Sequence, residues 1–514
     1  MNRREITDLI NEIEEMFPVD TWVVDDIHVW PLIRIPLAMN LYELSSPSGA
    51  KVISKNVLSS RLKQIPSYLA GWLRQYLSSV SDLSGNQKQI SDADVFFFNH
   101  TTCRFLLNNA WYDVFCGPLQ EELDDLDLTS TIFEFAPRYE YRIPRYQKSS
   151  YIQNGVDAIK IIGKLISTPN LPYCLNKYSE ACDFILRKSG IKISTIPQLL
   201  KQTYRIKRLA LFWKRKLRVV HPQIVFMVTY YGDLGMALNL ACFWLDIPSV
   251  DIQHGVQGDY HVAYGRWLNV PNTGYELLPN IFWCWSEDEK NAIEQWNTSC
   301  PDRHRVVIGG NPWLNMWKDD NNNIVKQYDQ MLYEQMHNME GQINILYTLQ
   351  PGYDPPEWFL DYIISAPPTW KWWVRLHPGM SLEKKRIKDL FSQCHPARID
   401  IDNATIMPLP SLLRHVSLHI TQFSTTVIEA AEFGVPSIIL DKDGVLSYRK
   451  LIESGHAKYA SDVKNLAESI EYYFVNKNDI PATNNIATDN VLFMLLEKNH
   501  PEKVSYQLIK RANN

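Results

Sequence analysis

Short, nearly unbroken apolar runs alternate with helix-length amphipathic stretches along this chain, and that alternation leaves few folds open. Val95–Asn99 (VFFFN), Thr131–Phe135 (TIFEF) and Gln223–Thr229 (QIVFMVT) read as buried strands. The third is followed by a helical segment near Gly235–Leu245 and a further strand near Ser249–Ile252, a βαβ unit whose first strand ends at Tyr230-Tyr231-Gly232-Asp233. The second half repeats the pattern with strands expected at Ile281–Trp285, Arg305–Ile308, Ile343–Leu349, Trp372–Leu376, Ser417–Thr421 and Pro436–Leu440. Helices are expected in the intervals, including Thr425–Phe433 and Ser461–Phe474. Strands this uniformly apolar belong to parallel sheets covered on both faces, so the expected class is α/β.

At 514 residues the chain exceeds what one core organises, and two domains follow. The Gly-, Pro- and Asn-rich stretch Tyr264–Pro279 is the expected hinge, giving domains at 1–270 and 271–485. A last segment, 486–514, is expected to be helical and to cross back to the first domain. The apolar run Trp30–Leu37 (WPLIRIPL) with Arg34 inside it has no secure place in this scheme.

A net charge of −5 argues against a nucleic-acid binder. The opening MNRREITDLINEIEEMF has no apolar core of a signal peptide, and no apolar run is long enough to span a bilayer. The eight cysteines form no CxxC pair, which reads as reduced thiols in a cytoplasmic protein.

In an open parallel sheet, ligands bind beyond the carboxyl ends of the strands, and several polar clusters fall there. Arg375-Leu376-His377-Pro378-Gly379 closes the strand WKWWVRL; a His held by a following Pro is placed to hydrogen-bond a phosphate oxygen. Gln422-Phe423-Ser424-Thr425-Thr426 leads from a strand into a helix, where hydroxyls and unpaired N–H groups converge on anions. Glu429, one turn in, is within reach of ribose hydroxyls. The bland reading of this cluster is an ordinary Ser/Thr helix cap.

In the first half, Gln253, His254, Gly255 and His261 lie in a Gly-rich loop after a buried strand, a cleft-lining pattern without zinc-ligand spacing. Asp233, after Gly232, is either a base or nucleophile, or a cap for the helix that follows. The segment Lys201–Arg218 carries eight Lys or Arg and no acid. It is either a solvated helix face with Leu209, Phe212 and Trp213 turned inward, or a contact for anionic membrane or a charged acceptor.

Taken with these residues, the chain resembles the GT-B glycosyltransferases of bacterial capsule and lipopolysaccharide assembly, above all capsule-type retaining β-Kdo transferases. The likeness rests on Gln253-His254-Gly255 with His261, on Phe282–Glu287 (FWCWSE), on Val307–Pro312 (VIGGNP), and on the His377-Pro378 and Ser424-Thr425 pairs. It covers roughly Gln223–Leu440. The resemblance implies two Rossmann-like domains facing across a cleft and transfer of Kdo from CMP-Kdo to a saccharide or lipid-linked acceptor of capsule or O-antigen. It implies that Arg375, His377, Ser424, Thr425, Thr426 and Glu429 bind nucleotide and that Gln253 and Gly255 bind substrate. Asp233 is then the catalytic carboxylate, with His254 and His261 as alternative bases. No metal or other cofactor is implied, because His, hydroxyls and helix N-termini neutralise the leaving phosphate. Peripheral contact with the inner membrane is a further expectation. Transfer of another CMP-activated nonulosonic acid or a UDP-hexose, a UDP-sugar epimerase, and a non-catalytic export scaffold stay open.

Overall fold

The computed structural model describes residues 2–45, 92–136, 142–165, 167–255, 257–336, 341–476, 482 and 488–497. The chain divides into two compact units, Met1–Pro312 with Ala487–Asn514, and Trp313–Ile486.

The first unit is built on seven strands: β1 (Val95–His100), β2 (Ser130–Phe135), β3 (Ser150–Tyr151), β4 (Ile224–Val228), β5 (Ser249–Ile252), β6 (Ile281–Cys284) and β7 (Arg305–Ile308). Their order is β7-β6-β5-β4-β1-β2-β3, and every neighbouring pair is parallel. Winding runs outward from β1 through β2 and β3, then reverses at β4, so the switch point lies between β1 and β4. The second unit repeats this plan with β8 (Ile343–Thr348), β9 (Trp370–Arg375), β10 (Ile399–Asp400), β11 (Leu418–Thr421), β12 (Ser437–Ile439) and β13 (Ala457–Tyr459). The order β10-β9-β8-β11-β12-β13 is again wholly parallel and reverses between β8 and β11. The chain is α/β with two Rossmann-like units, the kind combined in GT-B folds.

The strand sequences explain the burial. In β1, Phe96 and Phe98 pack on Trp213 of the helix Ile196–Val220, with ring centroids 5.9 and 4.9 Å away. Phe97 points to the other face, stacked on Phe226 at 5.5 Å. That face is closed by Leu492, Phe493 and Leu496 of the helix Thr488–Leu496, which belongs to the first unit's core. The rest of Asn490–Arg511, beyond residue 497, lies outside the described residues.

Two features differ from the sequence-based expectations. The run Trp30–Leu37 enters a buried helix, Pro31–Ser45, in which Arg34 is fully enclosed. Its Nε lies 2.8 Å from Glu14 Oε1 on the helix Arg3–Met16, and its Nη2 donates to the carbonyls of Gly265 (3.1 Å) and Arg266 (2.8 Å). Glu14 also accepts from Trp30 Nε1 (2.7 Å) and from the Leu268 amide (2.6 Å). An apolar stretch thus carries one charge because that charge and its partner hold the irregular segment 262–268.

The second difference is the boundary, which falls at Pro312–Trp313 and not at 270–271. β6 and β7 extend the first sheet, and Tyr264, Trp267, Tyr275, Leu277 and Leu278 are core residues. Gly, Pro and Asn in that stretch mark irregular backbone, which here is largely packed, with Leu268, Asn272 and Thr273 exposed.

Candidate functional site

Each unit gathers polar side chains at the carboxyl end of its own sheet. In the second unit, His377 follows β9 and caps the short 3-10 turn Pro378–Glu383. Its Nδ1 accepts the Gly379 amide at 3.1 Å, so the neutral ring carries its proton on Nε2 as a donor. The ring is exposed, though partial burial still pushes its pKa down and favours that neutral form. After β11, Ser424 Oγ lies 3.1 Å from Thr426 Oγ1 and accepts the Thr426 amide at 3.3 Å. Ser424 thus braces the first turn of a helix of only seven residues, Thr426–Glu432, from one position before its N-cap, Thr425. Thr425 makes no side-chain cap, and Thr426 is buried.

Arg375 ends β9 with Nη1 donating at 2.6 Å to both the Ala404 and Met407 carbonyls, bracing that segment. Burial pushes Glu429 up to about 7; neighbouring Glu432 adds to the rise and Arg375 opposes it.

The switch point of this sheet adds Gln350, which the sequence reading passed over, beside Gln422. Gln350, just past β8, accepts the Phe423 amide at 3.0 Å. Gln422 donates to Tyr347 Oη (2.9 Å) and the Asp354 carbonyl (3.2 Å), while its Oε1 is buried without a partner. The signal available was Gln350-Pro351-Gly352, a turn directly after a buried strand.

In the first unit, β4 runs into Thr229, a β-branched residue held at φ +69°. The turn is strapped by Asp251 of β5, whose Oδ1 accepts the Tyr230 amide (2.9 Å) and Oδ2 the Tyr264 hydroxyl (2.8 Å). Burial drives Asp251 up to about 7 against these hydrogen bonds. Tyr230 turns into the core and donates to the Ala263 carbonyl. Tyr231 lies at the edge of the same core, with its hydroxyl 3.1 Å from His254 Nε2 and its ring 5.6 Å from that of His261. Thr229 Oγ1 is 3.3 Å from the same nitrogen. Burial pushes His254 down to about 4 and His261 to about 3, so both are neutral at neutral pH.

Asp233 opens the helix Asp233–Leu245, but the N-cap position belongs to Gly232. The expected cap role is thereby replaced: the Asp233 carboxylate pairs with Arg205 Nη2 at 2.9 Å, both side chains about one-third exposed. A negative charge in this first turn also suits the helix dipole.

Gln253 and Gly255 differ from the expected substrate contacts. Gln253 is fully buried; its Nε2 donates to the Gly255 carbonyl (2.9 Å) and its Oε1 accepts the Trp285 amide (2.7 Å). Both its donor and its acceptor ends hold the loop. Gly255 has ordinary φ and open space where a Cβ would stand, whereas Gly258, at φ +106°, is the glycine that the turn requires.

The basic helix buries Leu209, Phe212 and Trp213, and leaves Lys201, Arg208, Arg215 and Arg218 exposed. Among the described residues no helix is long and apolar enough to cross a membrane.

No family model matches the chain, and no curated protein does either. Among solved structures it is similar to UDP-GlcNAc 2-epimerase from Neisseria meningitidis bound to UDP-GlcNAc, at 17% identity, covering 79% of this chain and 99% of that one, TM-score 0.48. It is also similar to the UDP-GlcNAc 2-epimerase of Methanocaldococcus jannaschii (13% identity, 78% and 99% covered, TM-score 0.46). A third similar structure is Anabaena HepE in complex with UDP (12%, 82% and 99%, TM-score 0.38).

Proposed function

We propose that this protein is an enzyme acting on a nucleotide-activated sugar, with the nucleotide held at the carboxyl end of the second unit's sheet. The observation that carries the reading is the tautomer of His377. Gly379 occupies Nδ1, leaving Nε2–H as an outward donor beside a doubly wound sheet. A neutral imidazole donor with the hydroxyls of Ser424 and Thr425 suits a phosphate that gains charge as it leaves. Glu429 supplies a carboxyl group for ribose hydroxyls, while Arg375 secures the neighbouring segment.

The finer reading is transfer of Kdo from CMP-Kdo to a saccharide acceptor in surface polysaccharide synthesis, in the cytoplasm at the inner face of the membrane. Its support is the resemblance carried by His377-Pro378, Ser424-Thr425 and the His254 loop. In that chemistry Asp233 attacks the anomeric carbon, its direction set by Arg205. Isothermal titration with CMP and UDP tests the site. CMP should bind, and His377→Ala should weaken it at least tenfold without a change in melting temperature. Equal affinity in the variant would overturn the assignment, and a preference for UDP would move the donor class.

A further inference from the structure

The turn after β4 is a tightly constrained piece of backbone. Thr229 is β-branched, and side chains of that shape avoid positive φ unless the surroundings impose it. Asp251 imposes it from below through the Tyr230 amide. The following helix presses on it as well, since a Cβ at Gly235 would stand 2.5 Å from the Tyr230 carbonyl oxygen. The consequence is a split pair of tyrosines: Tyr230 is fully buried, and Tyr231 is half-buried with its phenol set on His254.

The direction of that hydrogen bond follows from chemistry. A phenol is a far stronger donor than the N–H of a neutral imidazole. Nε2 faces both the Tyr231 hydroxyl and Thr229 Oγ1, while Nδ1 is buried without a hydrogen-bond partner. With the phenol as the donor, Nε2 accepts from Tyr231 and the ring proton sits on Nδ1. With its own proton engaged, the Tyr231 oxygen offers only lone pairs outward. It therefore matches a hydrogen-bond donor and disfavours a carbonyl or phosphate oxygen.

We propose that Tyr231 is a catalytic residue of this site, receiving the attacking hydroxyl of the acceptor sugar, with His254 as the positioning partner that takes up the phenolic proton. This rests on the sugar-transfer reading above. As the hydroxyl oxygen bonds the anomeric carbon, the bond from that carbon to the Asp233 carboxylate oxygen breaks, and the carboxylate keeps the electron pair. The hydroxyl proton passes to the Tyr231 oxygen while the Tyr231 proton moves to His254 Nε2, and the imidazolium then returns its proton to water. A hydroxyl oxygen already bonded to a sugar cation is so acidic that a buried, weakly basic imidazole suffices to draw the proton away. Nothing in the sequence distinguishes Tyr231 from Tyr230; only the strained turn separates their roles.

The test uses the full-length protein and water as acceptor, measuring hydrolysis of CMP-Kdo, CMP-N-acetylneuraminate and UDP-N-acetylglucosamine by nucleotide release. For the donor that wild type hydrolyses, Tyr231→Phe should lower kcat at least tenfold while CMP affinity and melting temperature hold. His254→Gln, which keeps an acceptor atom, should retain more activity than His254→Leu. Undiminished kcat in Tyr231→Phe, or equal activity in the two His254 variants, would overturn this inference alone. Failure of wild type to hydrolyse any of the three would overturn it together with the sugar-transfer reading.

Discussion

Asp233 and Asp251 lie one strand apart and place opposite demands on a carboxylate. Asp233, paired with Arg205 at the surface, is the carboxylate proposed for attack. Asp233→Asn should abolish turnover yet preserve CMP binding and melting temperature, because a partly exposed ion pair contributes only about 0–1 kcal/mol. Intact-mass spectrometry with donor alone should show a sugar adduct in wild type and none in the variant. Normal turnover by the variant would remove Asp233 from the chemistry. Asp251 is structural, and its folded-state pKa of about 7 stands above the ordinary 3.8. As pH rises from about 4 to about 7 the unfolded chain releases this proton before the folded one does, so stability falls across that window and levels off above it. In urea titrations at pH 4.5 and 7.5, Asp251→Asn should show a smaller drop than wild type. An identical drop would mean that Asp251 does not titrate in that window.

The elements divide by how much of their reason lies within their own sequence. β1 and β4 were readable because VFFFN and IVFMV are apolar without interruption, and a strand covered on both faces needs nothing more. The carboxyl-end position of His377 and Ser424 followed from the same logic. Tyr231 was not readable, since its importance comes from Thr229 and from Asp251, which arrives more than twenty residues later in the chain. The backbone role of Gln253 was hidden for a related reason: a buried amide that satisfies backbone looks, in sequence, like one that binds substrate. The helix Pro31–Ser45 is the extreme case, because Arg34 makes sense only once Glu14 and the 262–268 segment surround it. Arg34→Met should destabilise the protein by about 3–5 kcal/mol by stranding a buried carboxylate. The double variant Arg34→Met with Glu14→Gln should recover part of that loss in denaturant titrations. A single variant as stable as wild type would show that the pair is not what holds the loop.

For the molecule as a whole, the exposed side of the helix Ile196–Val220 presents Lys201, Arg208, Arg215 and Arg218 with Leu211 and Val219 and no acid. Vesicles containing anionic lipid should co-sediment the protein at low salt and release it as ionic strength rises, since surface charges are screened within roughly 10 Å at 0.1 M. Retention that is indifferent to salt, or absent at low salt, would end the membrane proposal.

The helix Thr488–Leu496 also fixes an order of events during synthesis. Its Leu492, Phe493 and Leu496 close one face of the first sheet, yet the ribosome makes them only after the entire second unit. A nascent chain ending at residue 486 therefore carries a second unit complete in sequence and a first unit whose Phe97 and Leu119 face lacks its cover. The part made first is the part finished last, and until the helix Thr488–Leu496 emerges that apolar face is open to chaperones.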